Sequence, residues 1–232
     1  MSPLLSVRGL EVSFKAVHAV RGISFDLEPG SATALVGTNG AGKSSTLLAI
    51  AGALESGATC RGRIELPQGH VVSMVPEREK VFTLLTVAEN LTAADRKRGR
   101  GRVVVGDVYG WFPLIAERRS SLAGNLSGGE QQMLAIGMAL LGSPSLLLFD
   151  EPTLGLAVPI IERTCEALAR LRRELNLTVL CAEAEPQWVD HLAERALVIA
   201  RGEIVATIDG DLAGRKDDMR NLSLDLSTGA DA

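Results

Sequence analysis

A lysine, a hydroxyl residue and a pair of carboxylates have the types and spacing for chemistry on phosphate. Lys43 and Ser44 close the run GTNGAGKS, residues 37–44, which satisfies G-x-x-x-x-G-K-[ST]. Gly37, Gly40 and Gly42 let the backbone fold into a cup around Thr38, Asn39 and Ala41. Its N–H groups then face inward, and a helix beginning near Ser44 and Ser45 adds the partial positive charge of its N-terminus. Lys43 is placed to reach β and γ phosphates and the Ser44 hydroxyl to hold Mg²⁺. The second motif is LLLFDE, residues 146–151, an apolar strand ending in two carboxylates. Asp150 is expected to associate with Mg²⁺. Glu151, projecting differently from the strand end, is expected to orient or deprotonate an attacking water. The substrate class these residues imply is a nucleoside triphosphate.

A third motif, LSGGEQQ, residues 126–132, opens an apolar helix. Ser127 is a good N-cap, and Ser127 with Glu130 fits a capping box. A capping box does not explain Gly128 and Gly129, which cost helix stability. Two glycines at a helix N-terminus would let an oxyanion approach the first free N–H groups.

The elements that position these residues follow from periodicity. Residues 4–28 alternate in short apolar and polar patches, as half-buried antiparallel strands do, and Pro29-Gly30 makes a turn. SATALVG then reads as a short buried strand leading into the glycine-rich loop, and STLLAIAGAL as the helix after it. Between Thr86 and Gly124 the pattern is helical and carries the basic run Arg96, Lys97, Arg98, Arg100, Arg102, read as a solvated loop or a neighbour of lipid headgroups. From Ser145 the chain returns to strand SLLLFDE, helix IIERTCEALARLRREL, strand LTVLCAE and hairpin RALVIARGEIVATI. One domain is expected, with an α/β core at 1–76 and 143–210, a helical subdomain at 77–142, and a tail at 211–232 forming a short helix and a frayed end.

Composition agrees with an α/β protein: 46% of residues are hydrophobic, only 3% aromatic, and 24 are glycine. A net charge of -4 provides no general attraction to polyanions, so nucleic acid is not expected as a partner. Cys60, Cys165 and Cys181 show neither disulfide nor zinc spacing, which fits a reducing, cytoplasmic setting. The N-terminus has no basic stretch followed by an apolar one, so export is not expected. The 19-residue uncharged run from Gln131 to Phe149 is broken by Gly142-Ser-Pro-Ser145 and reads as buried helix, turn and buried strand.

With LSGGE placed between the phosphate loop and the acidic strand, the sequence resembles the ATP-binding subunits of ABC transporters from about residue 4 to residue 210. The resemblance implies a P-loop NTPase with a RecA-like α/β core, an N-terminal antiparallel β subdomain and an inserted helical subdomain. Two nucleotide domains would pack head to tail, with ATP and Mg²⁺ between the phosphate loop of one and the signature of the other. Ser127, Gly128 and Gly129 would then act on a partner's γ-phosphate, and Phe14 in EVSFK would stack on adenine, or else serve as an ordinary core aromatic. Three blocks, VPEREKVFTLLTVAENL, AERRSSLAGNLSGGEQQMLAIGMAL and FDEPTLGLAVPII, resemble the branch that energises uptake of branched-chain amino acids, urea and amides. That branch places Glu77 in the loop that senses γ-phosphate and Mg²⁺. Val81, Phe82, Leu84 and Leu85 would form either a groove for a membrane permease subunit or core. The implied location is peripheral, on the cytoplasmic face of the inner or plasma membrane.

Departures from the family pattern bear on turnover. Ala184 stands where most members have a switch histidine and this branch often has glutamine, so a side-chain contact is missing unless Glu183, Glu185 or His191 substitutes. Met138 replaces a usual arginine, and the segment between Gly62 and Val75 is short for the branch. Slow hydrolysis in the chain's own site, a regulatory subunit, and a soluble ABC ATPase uncoupled from transport are the alternatives to an active importer ATPase.

Overall fold

The structure is a computed structural model and describes residues 2–95 and 103–225, so the basic run at 96–102 and the end of the tail lie outside the described residues. Two sheets organise the chain. β1 (Leu5–Phe14), β2 (Val17–Leu27) and β4 (Ala58–Glu65) form an antiparallel sheet in the order β2-β1-β4. The second sheet comprises β3 (Ala32–Val36), β5 (Val72–Val75), β6 (Leu146–Asp150), β7 (Thr178–Glu183), β8 (Arg195–Ala200) and β9 (Glu203–Asp209), in the order β5-β6-β7-β3-β8-β9. All its pairings are parallel except the β8–β9 hairpin.

Parallel strands are covered on both faces, and their side chains alternate between two cores. Leu147 and Phe149 of β6 face one core, shared with Val179 and Cys181 of β7 and with the helices α5 (Gly128–Leu140) and α6 (Val158–Leu175). Leu146 and Leu148 face the other, which joins α1 (Lys43–Ala51) to the antiparallel sheet through Leu5, Val7 and Phe25. Helix α6 buries Ile161, Thr164, Cys165, Leu168 and Leu171, one helical stripe, and Arg172 and Arg173 complement the negative end of its dipole.

The helices α2 (Val87–Ala94), α3 (Val105–Trp111) and α4 (Pro113–Glu117) occupy the stretch read as helical. Leu91, Val108 and Ile115 from them belong to the same continuous core as Leu147 and Phe149. The uncharged run 131–149 comprises most of α5, a turn and most of β6, and no helix among the described residues is long and apolar enough to cross a membrane. After α7 (Val189–Leu192), helix α8 (Lys216–Asp225) supplies the short helix expected in the tail, anchored by fully buried Met219.

Candidate functional site

The carboxyl ends of β3, β6 and β7 converge, the usual position for a ligand in a parallel α/β sheet. A cleft of about 1120 Å³ opens there. Asn39, Gly40, Gly42, Lys43, Ser44 and Ser45 line it from the loop and α1, with Glu77 and Glu151 on other walls.

The loop has the shape it has because other backbone crowds it. A Cβ on Gly37 would lie 2.2 Å from the Ile199 carbonyl oxygen, and one on Gly42, whose φ is 108°, would lie 2.4 Å from the Ala19 carbonyl oxygen. Ala41 is buried in the core that joins α1 to the antiparallel sheet, and its carbonyl accepts from the Gly202 N–H at 2.9 Å. The Thr38 carbonyl accepts from the Ala41 N–H at 3.1 Å, closing the turn.

Charge is buried at the base of this cleft. Lys43 is 4% exposed, and its Nζ donates to the Gly37 carbonyl at 2.8 Å and the Thr38 carbonyl at 3.3 Å. The same ammonium lies 3.1 Å from Glu151 Oε1. Glu151 Oε2 accepts from the Ala184 N–H at 3.1 Å. The Ser44 hydroxyl donates to Asp150 Oδ1 at 3.0 Å. Burial pushes the Asp150 carboxyl up to about 6 against the pull of that hydrogen bond, and the charges of Glu151 and Glu77 add to the rise. Glu151 has φ 49°, the left-handed region, an uncommon conformation for a residue with a Cβ and one that often accompanies function.

The structure thus brings Lys43, Ser44, Asp150 and Glu151 together. Glu77 lines the cleft too, with its Oε1 3.0 Å from Arg78 Nε. Phe14 does not line it. It packs, partly buried, against the core that joins α1 to the antiparallel sheet, and the residues of the β1–β2 hairpin that reach the cleft are Val17, His18, Ala19 and Arg21. Ser127, Gly128 and Gly129 also stand outside the cleft lining. Ser127 and Glu130 form the full capping box: the Glu130 N–H donates to Ser127 Oγ at 3.3 Å and the Ser127 N–H to Glu130 Oε2 at 2.8 Å. Gly129 has a packing reason the sequence reading lacked, because a Cβ there would lie 2.4 Å from Ile160 Cγ2 on α6. Of the three side chains that could substitute at position 184, Glu183 and Glu185 line the cleft. His191 does not line it and lies against Trp188 and Asp190, whereas the main chain of Ala184 makes the contact to Glu151.

Val81 is core, while Phe82 is 56% and Leu84 86% exposed, so the apolar segment after Glu77 is core only in part. Sequence reasoning named Glu183 only as a substitute for the switch histidine and missed its partner Thr153; both line the cleft, buried, with hydroxyl and carboxylate 2.8 Å apart. Burial pushes the Glu183 carboxyl up, opposed by its hydrogen bonds.

The ABC transporter family profile matches residues 20–154. The high-affinity branched-chain amino acid transport ATP-binding protein BraG of Pseudomonas aeruginosa is 37% identical over 213 residues, 87% of this chain and 91% of that protein. "Probable branched-chain amino acid transport ATP-binding protein LivF" of Archaeoglobus fulgidus is 32% identical over 84% of this chain and 87% of its own length. Among solved structures, a nucleotide-free ATP-binding cassette from an ABC transporter superposes with a TM-score of 0.79 over 98% of both chains at 19% identity. A dimeric cassette in a post-hydrolysis state bound to ADP and Pi gives 0.75 over 88% of this chain and 98% of that one, at 21% identity. Those structures speak for the fold, and the sequence matches speak for the lineage: this chain belongs to the ABC transporter family, as one of its ATP-binding subunits.

Proposed function

We propose that this ATPase energises an importer for branched-chain amino acids or a related small polar solute, docked on permease subunits at the cytoplasmic face of the membrane. It would work head to tail with a second ATP-binding subunit, whose nucleotide meets Ser127, Gly128 and Gly129. The observation that carries the reading is the convergence of Lys43, Ser44, Asp150 and Glu151 in one cleft. The names of the two relatives above support the solute class.

The residues fit Mg²⁺. Ser44 Oγ and Asp150 Oδ1 are adjacent hard oxygens, and no group of three His, Cys, Asp or Glu among the described residues forms a metal cage. That donor set suits an ion that keeps waters and takes its other oxygens from phosphate. When bound, Mg²⁺ would neutralise charge on the β and γ phosphates. Lys43 binds those phosphates, and they compete with Glu151 for its ammonium. Glu151, displaced from Lys43, holds the attacking water and takes its proton at a carboxylate oxygen. Glu77 sits at the cleft wall, where it would sense the state of the γ-phosphate and pass it to the apolar segment carrying Phe82 and Leu84.

The test is hydrolysis by the full chain with and without the proteins that co-purify from solubilised membranes. Glu151→Gln should retain ATP binding and lose about 100-fold or more in turnover. Recovery of soluble partners alone would overturn the transporter reading. Position 184 favours a second reading, a slow subunit, since its one polar contact to the catalytic group is a main-chain N–H. Under it, Ala184→His would leave turnover low.

A further inference from the structure

Two turns flank the cleft, one leaving β6 and one leaving β7, and carboxylates join them in both directions. From the β6 turn, Glu151 reaches across to accept the Ala184 N–H at 3.1 Å. From the end of β7, Glu183 reaches back: its Oε2 accepts from the Thr153 hydroxyl at 2.8 Å and its Oε1 from the Glu185 N–H at 3.0 Å. Glu183 is fully buried and Thr153 nearly so. A carboxylate in such a place costs free energy that an apolar residue of similar size would not. The β6 turn also holds Glu151 in the left-handed region, which would relax if its flanks were free. Its flanking anchors are the Glu151 N–H donating to the Ala182 carbonyl at 2.9 Å and the Thr153 hydroxyl on Glu183.

We propose that Glu183 is a positioning residue: through Thr153 it fixes the turn after β6 against the turn after β7 and so aims the Glu151 carboxylate, a task in which Ala184 has no side chain to share. Glu183 does not touch the reacting atoms. Its buried carboxylate acts on the chemistry through the backbone on which Glu151 stands. The inference rests on Glu151 being the group that handles the attacking water, as set out above.

The experiment compares Thr153→Val, which keeps the side-chain shape and removes the hydroxyl, with Thr153→Ser, which keeps the hydroxyl, in the full chain. Thr153→Val should lower kcat for ATP about tenfold with KM within about twofold of the parent, and Thr153→Ser should recover most of kcat. Amide hydrogen exchange at Ala184 in nucleotide-free protein gives a readout independent of turnover. It should speed up about tenfold in Thr153→Val and stay near the parent rate in Thr153→Ser. Unchanged kcat and unchanged exchange in Thr153→Val, equal loss in both variants, or a rise in KM with kcat preserved would each overturn the proposal. If Thr153→Val does not fold, Glu183→Gln, with the same side-chain size, should show the same direction of change at about threefold. A parent chain that binds ATP without hydrolysing it would sink the reading of Glu151 instead, and the exchange comparison would still decide whether the clamp exists.

Discussion

Charged side chains occupy two contrasting settings, the carboxyl ends of the parallel strands and the surface of the antiparallel sheet. At the first, Lys43, Asp150, Glu151 and Glu183 are all buried and satisfied by one another, by hydroxyls and by main-chain groups. At the second, Arg8 and Asp26 form a well-made pair at 2.7 Å with side chains 49% and 38% exposed. The same residue types therefore answer to different physics. Solvated pairs contribute little to stability, whereas buried ones depend on every partner being present. The cleft thus holds its charges at a cost to the empty protein, and a bound polyphosphate and cation would offset that cost.

The contrast breaks first at the buried ion pair. Lys43→Met alone should destabilise the nucleotide-free chain by about 3 kcal/mol in urea unfolding, because it leaves Glu151 buried without its cation. Adding Glu151→Leu should return much of that loss, and additive losses would show that the two residues do not depend on each other.

A smaller effect of opposite sign is expected at Asp150. Its carboxyl titrates at about 6 in the folded chain against an ordinary value of 3.8. The folded state therefore binds the extra proton between those values, and stability falls as pH rises through that window, reaching its full penalty above it. Asp150→Asn should be more stable than the parent by about 2 kcal/mol at pH 8, with the difference fading toward pH 4. A constant difference across pH would remove burial of charge as its cause.

The smallest effect belongs to the antiparallel sheet. Arg8→Met should leave the melting temperature unchanged in moderate salt. A clear drop would mean that the exposed pair behaves like the buried one.

What was legible in the sequence was local. GTNGAGKS, the strand ending in Asp150 and Glu151, and the Ser127 cap are contiguous patterns whose geometry follows from their own residues. Strands β4 and β5 went unassigned. β4 is mostly exposed on both faces and lacks alternation, and β5 has only four residues. The Thr153–Glu183 contact spans 30 positions, and neither residue belongs to a pattern that announces a partner. For Phe14 the sequence left two roles open, stacking on adenine or core; its ring packs, partly buried, on the core that joins α1 to the antiparallel sheet, while Val17 and His18 line the cleft.

The glycines of the phosphate loop carry one more implication, for how tolerance to substitution would be apportioned. Gly37 and Gly42 have neighbouring carbonyl oxygens where a Cβ would go, whereas Gly40, at φ 81°, has nothing within 4 Å. In a variant library sorted once for cellular abundance and once for growth on the transported solute, any side chain at 37 or 42 should vanish in the first sort. Asparagine at 40, a residue that accepts the left-handed region, should survive the first sort and be judged only in the second. Invariance at the first two positions would then record how three backbone segments assemble, and only the third would report on nucleotide.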